Sequence, residues 1–355
     1  MIDTRATSTI AAGPIVRPRA PFRAADYIDL LRPAQWIKNV VVFAGPAAGL
    51  KLSSPTALGQ AFIAFAAFCL AASATYALND VIDRKADASH PTKRNRPVAR
   101  GAIAPGTALT MSLALAAAAL AITAILLPSG VGVVLVAYLT LTIAYSLTLK
   151  RRVILDVIIV AIGFVLRAFA GSVAVGVPTS EWLVACVFTL CLFMGFGKRR
   201  CEIAMIGNLD EIGQHRRTLV RYTPDLLNHL LAVSAGIAVI TFLLYTLDTS
   251  GHPSPFPKQH LFYTLPLVIY GIFRFAMLTE LGIYSGPTEI VLKDKALMLA
   301  IILWAACALV IAYQNNFFGP DALPGLAIAD FQLPITERVA SSSFNWQSGT
   351  WHFFA

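Results

Sequence analysis

Long apolar blocks separated by short polar breaks run through most of the chain. A helix needs about 20 apolar residues to cross the hydrocarbon core of a bilayer. Nine blocks approach that length: residues 34–51, 57–79, 106–127, 130–149, 153–176, 181–199, 226–247, 260–281 and 296–318. Their apolar residues are continuous and do not alternate with polar ones, which excludes an outer-membrane β-barrel. The pattern predicts an all-α polytopic membrane protein of about nine transmembrane helices. The first block is the least regular, because Lys38, Asn39 and Pro46 interrupt it. Residues 1–31 hold Arg and Pro without an apolar stretch, so a flexible basic cytosolic arm is expected and not a cleaved signal peptide. Residues 319–355 are expected to form an extracytoplasmic tail, with Phe344, Trp346, Trp351, Phe353 and Phe354 available to the outer interface.

Composition agrees with this picture. Of 355 residues, 57% are hydrophobic and 13% charged, about half the charge a soluble domain carries. Mean hydropathy is +0.69. A soluble enzyme, a disordered chain and a disulfide scaffold are excluded. Cys69, Cys186, Cys191, Cys201 and Cys307 form no CxxC pair, so zinc and disulfide readings are both weak. A net charge of +9 invites a nucleic-acid reading, but its distribution argues for topology. The cations gather in the arm up to Lys38, after the second block (Arg84 to Arg100), after the fourth (Lys150, Arg151, Arg152), after the sixth (Lys198 to Arg221) and before the ninth (Lys293, Lys295). These sites hold 23 of the 28 Lys and Arg, while the opposite side has only Lys51, Lys258 and Arg338. The positive-inside bias therefore predicts a multi-pass protein of the inner (cytoplasmic) membrane, its N-terminus cytoplasmic and, with an odd span count, its C-terminus outside. Arg167 and Arg274 remain, both within spans.

The second block ends in Asn79-Asp80-Val81-Ile82-Asp83-Arg84-Lys85-Ala86-Asp87. At 100° per residue, Asp80, Asp83 and Asp87 share one helical face. Three carboxylates there repel one another unless a cation lies between them, and hard oxygen ligands suit Mg²⁺ bound to substrate phosphates. Lys93, Arg94 and Arg96 follow at once. A carboxylate–metal site beside a basic loop is what a diphosphate requires. A second constellation closes the fourth block, where Lys150 is a candidate phosphate ligand and Tyr145 a candidate hydrogen-bond donor. Read singly, they are equally an interfacial tyrosine and a topology lysine. Charges inside spans mark functional sites by default. For Arg167 the alternative is a structural ion pair, with Asp156 on the same helical face or with another span's carboxylate. For Arg274 it is snorkelling to the interface.

Asn79-Asp80-x-x-Asp83-x-x-x-Asp87, then His90-Pro91-x-Lys93-x-x-Arg96-Pro97, then Tyr145-Ser146 with Lys150, resembles the UbiA prenyltransferase superfamily from about Arg32 to Phe318. The resemblance implies a helical barrel with a central cavity open to lipid and a cytosolic active site. It also implies Mg²⁺ held against a diphosphate by Asp80, Asp83 and Asp87, with Asn79 assisting. One stretch departs from the usual pattern. Where typical members carry a second Asp-rich motif, this chain reads Gly195-Phe196-Gly197-Lys198-Arg199-Arg200-Cys201-Glu202. Cations there fit an anionic second substrate. Together with Arg32-Pro33-x-Gln35-Trp36-x-Lys38-Asn39, Arg167 and Arg274, this resembles a branch that transfers phosphoribosyl groups to polyprenyl (decaprenyl) phosphates. Its donor is 5-phosphoribosyl-1-pyrophosphate (PRPP), and its product feeds lipid-linked arabinose donors. The implied phosphate ligands are Lys38, Lys93, Arg94, Lys150, Lys198, Arg199 and Arg200. The implied partners are PRPP, a polyprenyl phosphate, the bilayer and, in a homo-oligomer, further copies of the chain, but no nucleic acid. An aromatic prenyltransferase is the alternative enzyme. A transporter of anionic solutes is the alternative class, against which stands the lack of a clear internal repeat.

Overall fold

The computed structural model describes residues 23–89, 93–205, 222–248, 256–318, 342–345 and 350–353. The chain divides into two units, Met1–Ala312 and Tyr313–Ala355. Among its described residues the first has helices, joined by short turns and loops, and no strand. It runs through α1 (Ala25–Leu31), a 3-10 helix (Pro33–Phe43), α2 (Ala44–Ala48), α3 (Pro55–Ala88), α4 (Pro105–Leu126), α5 (Ser129–Leu147), α6 (Leu155–Ala174), α7 (Glu181–Met205), α8 (Pro224–Leu247), α9 (Leu265–Leu281), α10 (Pro287–Lys293) and the start of α11 (Lys295–Phe318). Among the described residues, eight helices are long and apolar enough to span a bilayer.

The first apolar block is where the expected helices and the observed ones differ. Instead of a continuous α-helix it makes an 11-residue 3-10 helix followed by the single turn of α2. Three residues per turn stack every third side chain. Trp36, Asn39 and Val42 consequently form one row, with Asn39 and Val42 buried, while Ile37 and Val40 are exposed. That row docks on two central helices. Trp36 Nε1 donates to Ser73 Oγ on α3 (3.0 Å), and Asn39 Oδ1 accepts from Arg167 Nε on α6 (2.7 Å). Close approach to α6 depends on glycine. A Cβ on Gly171 would lie 1.7 Å from the Val42 carbonyl oxygen, and one on Gly45 would lie 1.8 Å from Ser172 Oγ.

α3 and α6 are the central helices: 61% and 56% of their most apolar stretches are buried, against 17% for α4 and 11% for α11. Alanine makes this compatible with tight packing. Ala61, Ala64, Ala67, Ala71, Ala74 and Ala77 of α3 are buried, a small-residue face that lets α4 lie close. Ser112 of α4 donates to the Ala74 carbonyl at 2.7 Å. One apolar cluster joins Val42, Phe68, Val131, Leu135 and Tyr138, and a second joins Phe193, Phe196, Leu227, Leu231 and Phe275. α6 belongs to both, through Ala170 and Ala174 to the first and Val157 to the second.

At 34 residues α3 is the longest helix, about 51 Å at 1.5 Å per residue. A hydrocarbon core is about 30 Å thick, so α3 extends beyond it by several turns. Its apolar run ends at Leu78, and the extension carries the three aspartates.

In the second unit, Ser342–Asn345 and Thr350–Phe353 pair as antiparallel strands with Ser342 opposite Phe353 and Asn345 opposite Thr350. This hairpin adds two short strands to a chain expected to be all-α. Trp346 and Phe354 of the tail lie outside the described residues, as do His90 and Pro91.

Candidate active site

The α3 extension is met on one side by the start of the 3-10 helix and on another by the loop after α3. Arg32 joins α1 to the 3-10 helix in a left-handed conformation (φ 53°). The Leu31 carbonyl accepts from Ser73 Oγ (2.8 Å), the same hydroxyl that Trp36 engages. This pins Arg32 over the Tyr76 ring, 5.0 Å from its centroid, and onto Asp80 Oδ1. Burial pulls the Arg32 guanidinium below its ordinary pKa, and Asp80 beside it pushes back. From the loop, Arg96 Nη1 donates to Asp80 Oδ1 at 3.2 Å and Asp87 Oδ2 at 2.7 Å. Arg100 pairs with the buried Asp26 of α1, closing the loop against the N-terminal segment.

Asp83 turns to the other side of the helix face. Lys150, from the turn after α5, donates to both its oxygens at 2.6 and 2.7 Å and to Asn79 Oδ1 at 3.3 Å. The cation that mutual repulsion demands is thus supplied by the chain: Arg96 bridges Asp80 and Asp87, and Lys150 neutralises Asp83. Among the described residues no group of three His, Cys, Asp or Glu side chains converges as a metal-ligand set. One atom is nonetheless suited to a hard cation. Asp80 Oδ2 is buried and has no hydrogen-bond partner. An anionic oxygen so placed is costly, and a divalent ion is the partner its chemistry fits. Beside it opens a cavity of about 300 Å³ lined by Asp29, Arg32, Asp80, Lys93, Asn95, Arg96 and Pro97.

The other expected residues divide into two sets. Lys93 lines the cavity, whereas Arg94 is exposed and outside its lining. Lys38 lies within electrostatic reach of Lys198, Arg167 and Arg32, a second cationic group beside the first. Lys198 is half-exposed and reaches Glu202 at 3.8 Å. Tyr145 is half-buried on α5, within reach of the Arg199 charge. Arg167 is buried and fully engaged by neutral groups: Asn39, the Gly163 carbonyl (2.8 Å) and Tyr138 Oη (2.8 Å), with its guanidinium 4.6 Å from the Tyr138 ring centroid. The ion pair with Asp156 is not made, because Asp156 accepts instead from Arg199 Nε (3.0 Å) and Tyr222 Oη (2.8 Å). Arg199 also donates to Glu202 (2.5 Å), and Arg200 turns away to Asn228 (3.0 Å). Three neighbours on a helix point 100° apart, so Lys198, Arg199 and Arg200 do not converge. Arg274 pairs with Asp294, donating at 2.8 and 3.2 Å.

Arg32 and Arg96 are the site residues a reading of charged spans passes over. Both stand in the motifs quoted above, and the signal that finds them is their place beside the aspartates and not their chemistry alone.

Comparison with known proteins agrees with this architecture. Residues 40–281 match the model of the UbiA prenyltransferase family. A decaprenyl-phosphate phosphoribosyltransferase from Corynebacterium glutamicum is 35% identical over 84% of this chain and 90% of its own. One from Mycobacterium tuberculosis is 33% identical over 79% of this chain and 92% of its own. Among solved structures, a UbiA homolog from Archaeoglobus fulgidus bound to DMAPP and Mg²⁺ shares the fold with a TM-score of 0.63 at 19% identity, over 81% of this chain and 99% of that one. The multi-pass helical fold and the match across most of its length establish that the chain belongs to the UbiA prenyltransferase family of membrane-bound transferases.

Proposed function

We propose that the protein transfers a 5-phosphoribosyl group from PRPP to a polyprenyl phosphate, decaprenyl phosphate in the named relatives, and releases diphosphate. The observation that carries this reading is the cavity at the end of α3, where Arg32, Lys93 and Arg96 face Asp29, Asp80 and Asn95. The charged and amide side chains in its lining suit a phosphorylated sugar. The names of the relatives at 33% and 35% identity support the same donor.

Asp80, with Asp83, Asp87 and Asn79, would hold Mg²⁺, which when bound neutralises charge on the diphosphate. Arg32, Arg96 and Lys150 exchange carboxylate oxygens for phosphate oxygens, so their charges serve the substrate. Asp29 and Asn95 accept from and donate to ribose hydroxyls. Lys38 and Lys198 hold the lipid phosphate, with Arg167 adding positive potential behind them. The C1–O bond to diphosphate breaks, and a C1–O bond to the lipid phosphate forms. No general base is needed, since a phosphate monoester is already largely deprotonated near neutral pH. Rate enhancement comes from positioning and charge stabilisation. The basic end of the bundle faces the cytosol, the side on which PRPP is found, and the product serves as a precursor of lipid-linked arabinose donors.

The test is an assay of purified protein with PRPP, a polyprenyl phosphate and Mg²⁺. A lipid-soluble phosphoribosyl product with released diphosphate, both lost on adding EDTA, is expected. Turnover of a prenyl diphosphate with an aromatic acceptor, and none of PRPP, overturns the reading.

A further inference from the structure

We infer that Tyr222 is a positioning residue for the diphosphate site, acting through the turn that delivers Lys150 to Asp83. The turn leaves α5 at Leu147, forms a 3-10 segment over Leu149–Arg151, and enters α6 at Leu155. Just before α6, Ile154 holds φ 67° and ψ −49°. A branched side chain rarely occupies that region, so something outside the turn must hold it there. Tyr222 does so. Its hydroxyl accepts from the Ile154 amide at 2.6 Å and donates to Asp156 Oδ1 at 2.8 Å.

The anchor behind the hydroxyl is rigid. Asp156 is wholly buried, and its second oxygen accepts from the buried Arg199 at 3.0 Å. Burial pushes the Tyr222 hydroxyl well above its ordinary pKa and keeps it a donor. One phenol, from the segment before α8, therefore ties the strained residue to the start of α6 and, through Asp156, to Arg199 of α7. Four residues upstream of Ile154, Lys150 reaches Asp83 and Asn79. Tyr222 and Asp156 do not line the cavity, so the route from the phenol to the chemistry runs through the lysine.

This inference rests on the proposed function only in the identity of the donor. The experiment is a double-mutant cycle on the full chain, reading kcat/KM for the donor in wild type, Tyr222→Phe, Lys150→Gln and the pair, with Tm recorded for each. Tyr222→Phe keeps the ring and removes only the hydroxyl. It is expected to lower kcat/KM about tenfold with Lys150 present and to have no further effect once Lys150 is Gln, the non-additivity of residues that act in series. Equal losses in both backgrounds, or an unchanged kcat/KM, overturn the inference. A purely structural role would lower Tm and leave the two effects additive. If Lys150→Gln turns over too slowly to follow, the cycle is read on the donor-induced rise in Tm. If wild type uses a prenyl diphosphate and not PRPP, the proposed function fails, and the cycle is run with that donor.

Discussion

Asp80 holds two unlike oxygens. One accepts from Arg32 and Arg96, and the other is buried without a partner. Asp80→Asn keeps the shape and removes the charge. Turnover should fall by at least about 100-fold, the scale of a lost electrostatic contact to the reacting groups, while Tm changes little; wild-type kcat in that variant would remove Asp80 from the site. Arg199 should behave in the opposite way. Its side chain is 5% exposed and its partner Asp156 is fully buried, so Arg199→Met leaves a buried carboxylate uncompensated. The expected cost is about 3–5 kcal/mol of stability, read by thermal or denaturant unfolding; an unchanged stability would return Arg199 to the substrate-binding set. The difference between these two residues marks what the sequence can disclose. Asp80 and Asp87 are seven apart on one helix, so their shared face was legible, but that Arg96 bridges them was not. The run Lys198-Arg199-Arg200 reads as one cradle, because its spacing does not reveal that Asp156, on another helix, faces only the middle residue.

The elements were legible wherever a block was uniformly apolar, and the misread element is the one whose polar residues have distant partners. Asn39 interrupts the first block, yet it is buried because Arg167 lies opposite it. The 3-10 helix it belongs to owes its long run to tertiary contacts, since this geometry is ordinarily limited to a few residues. Gly171 is the position that permits the seat. A Cβ there meets the backbone oxygen of Val42 at 1.7 Å, and backbone cannot yield as a flexible side chain does. Gly171→Ala should therefore cost about 1–3 kcal/mol or more and raise KM for the donor, because displacing the 3-10 helix moves Arg32 and Trp36 away from α3. Gly59, whose added Cβ meets nothing within 4 Å, is the control. Gly59→Ala should leave KM unchanged and keep or raise Tm. Equal behaviour of the two alanine variants would show that the seat does not govern the site.

The molecule places one polar end of a long helix under a concentration of positive charge, and the proposed orientation rests on that asymmetry. Ser53 lies two residues ahead of the 34-residue α3 and Lys85 near its far end, and both are exposed. From Pro55 to Lys85 the helix rises about 45 Å at 1.5 Å per residue, more than a hydrocarbon core of about 30 Å, so the two residues belong on opposite faces of the membrane. The loop beyond Lys85 carries Lys93, Arg94, Arg96 and Arg100, whereas Lys51 alone accompanies Ser53. The proposed orientation, read from the positive-inside bias, puts Lys85 in the cytosol. In intact cells a membrane-impermeant maleimide should label Ser53→Cys and spare Lys85→Cys, and permeabilisation should make both react, each measured against the parent chain with its own cysteines. Lys85→Cys labelling in intact cells would turn the bundle over. The cationic cavity would then face away from cytosolic PRPP, and the proposed transfer would lose its donor along with its topology.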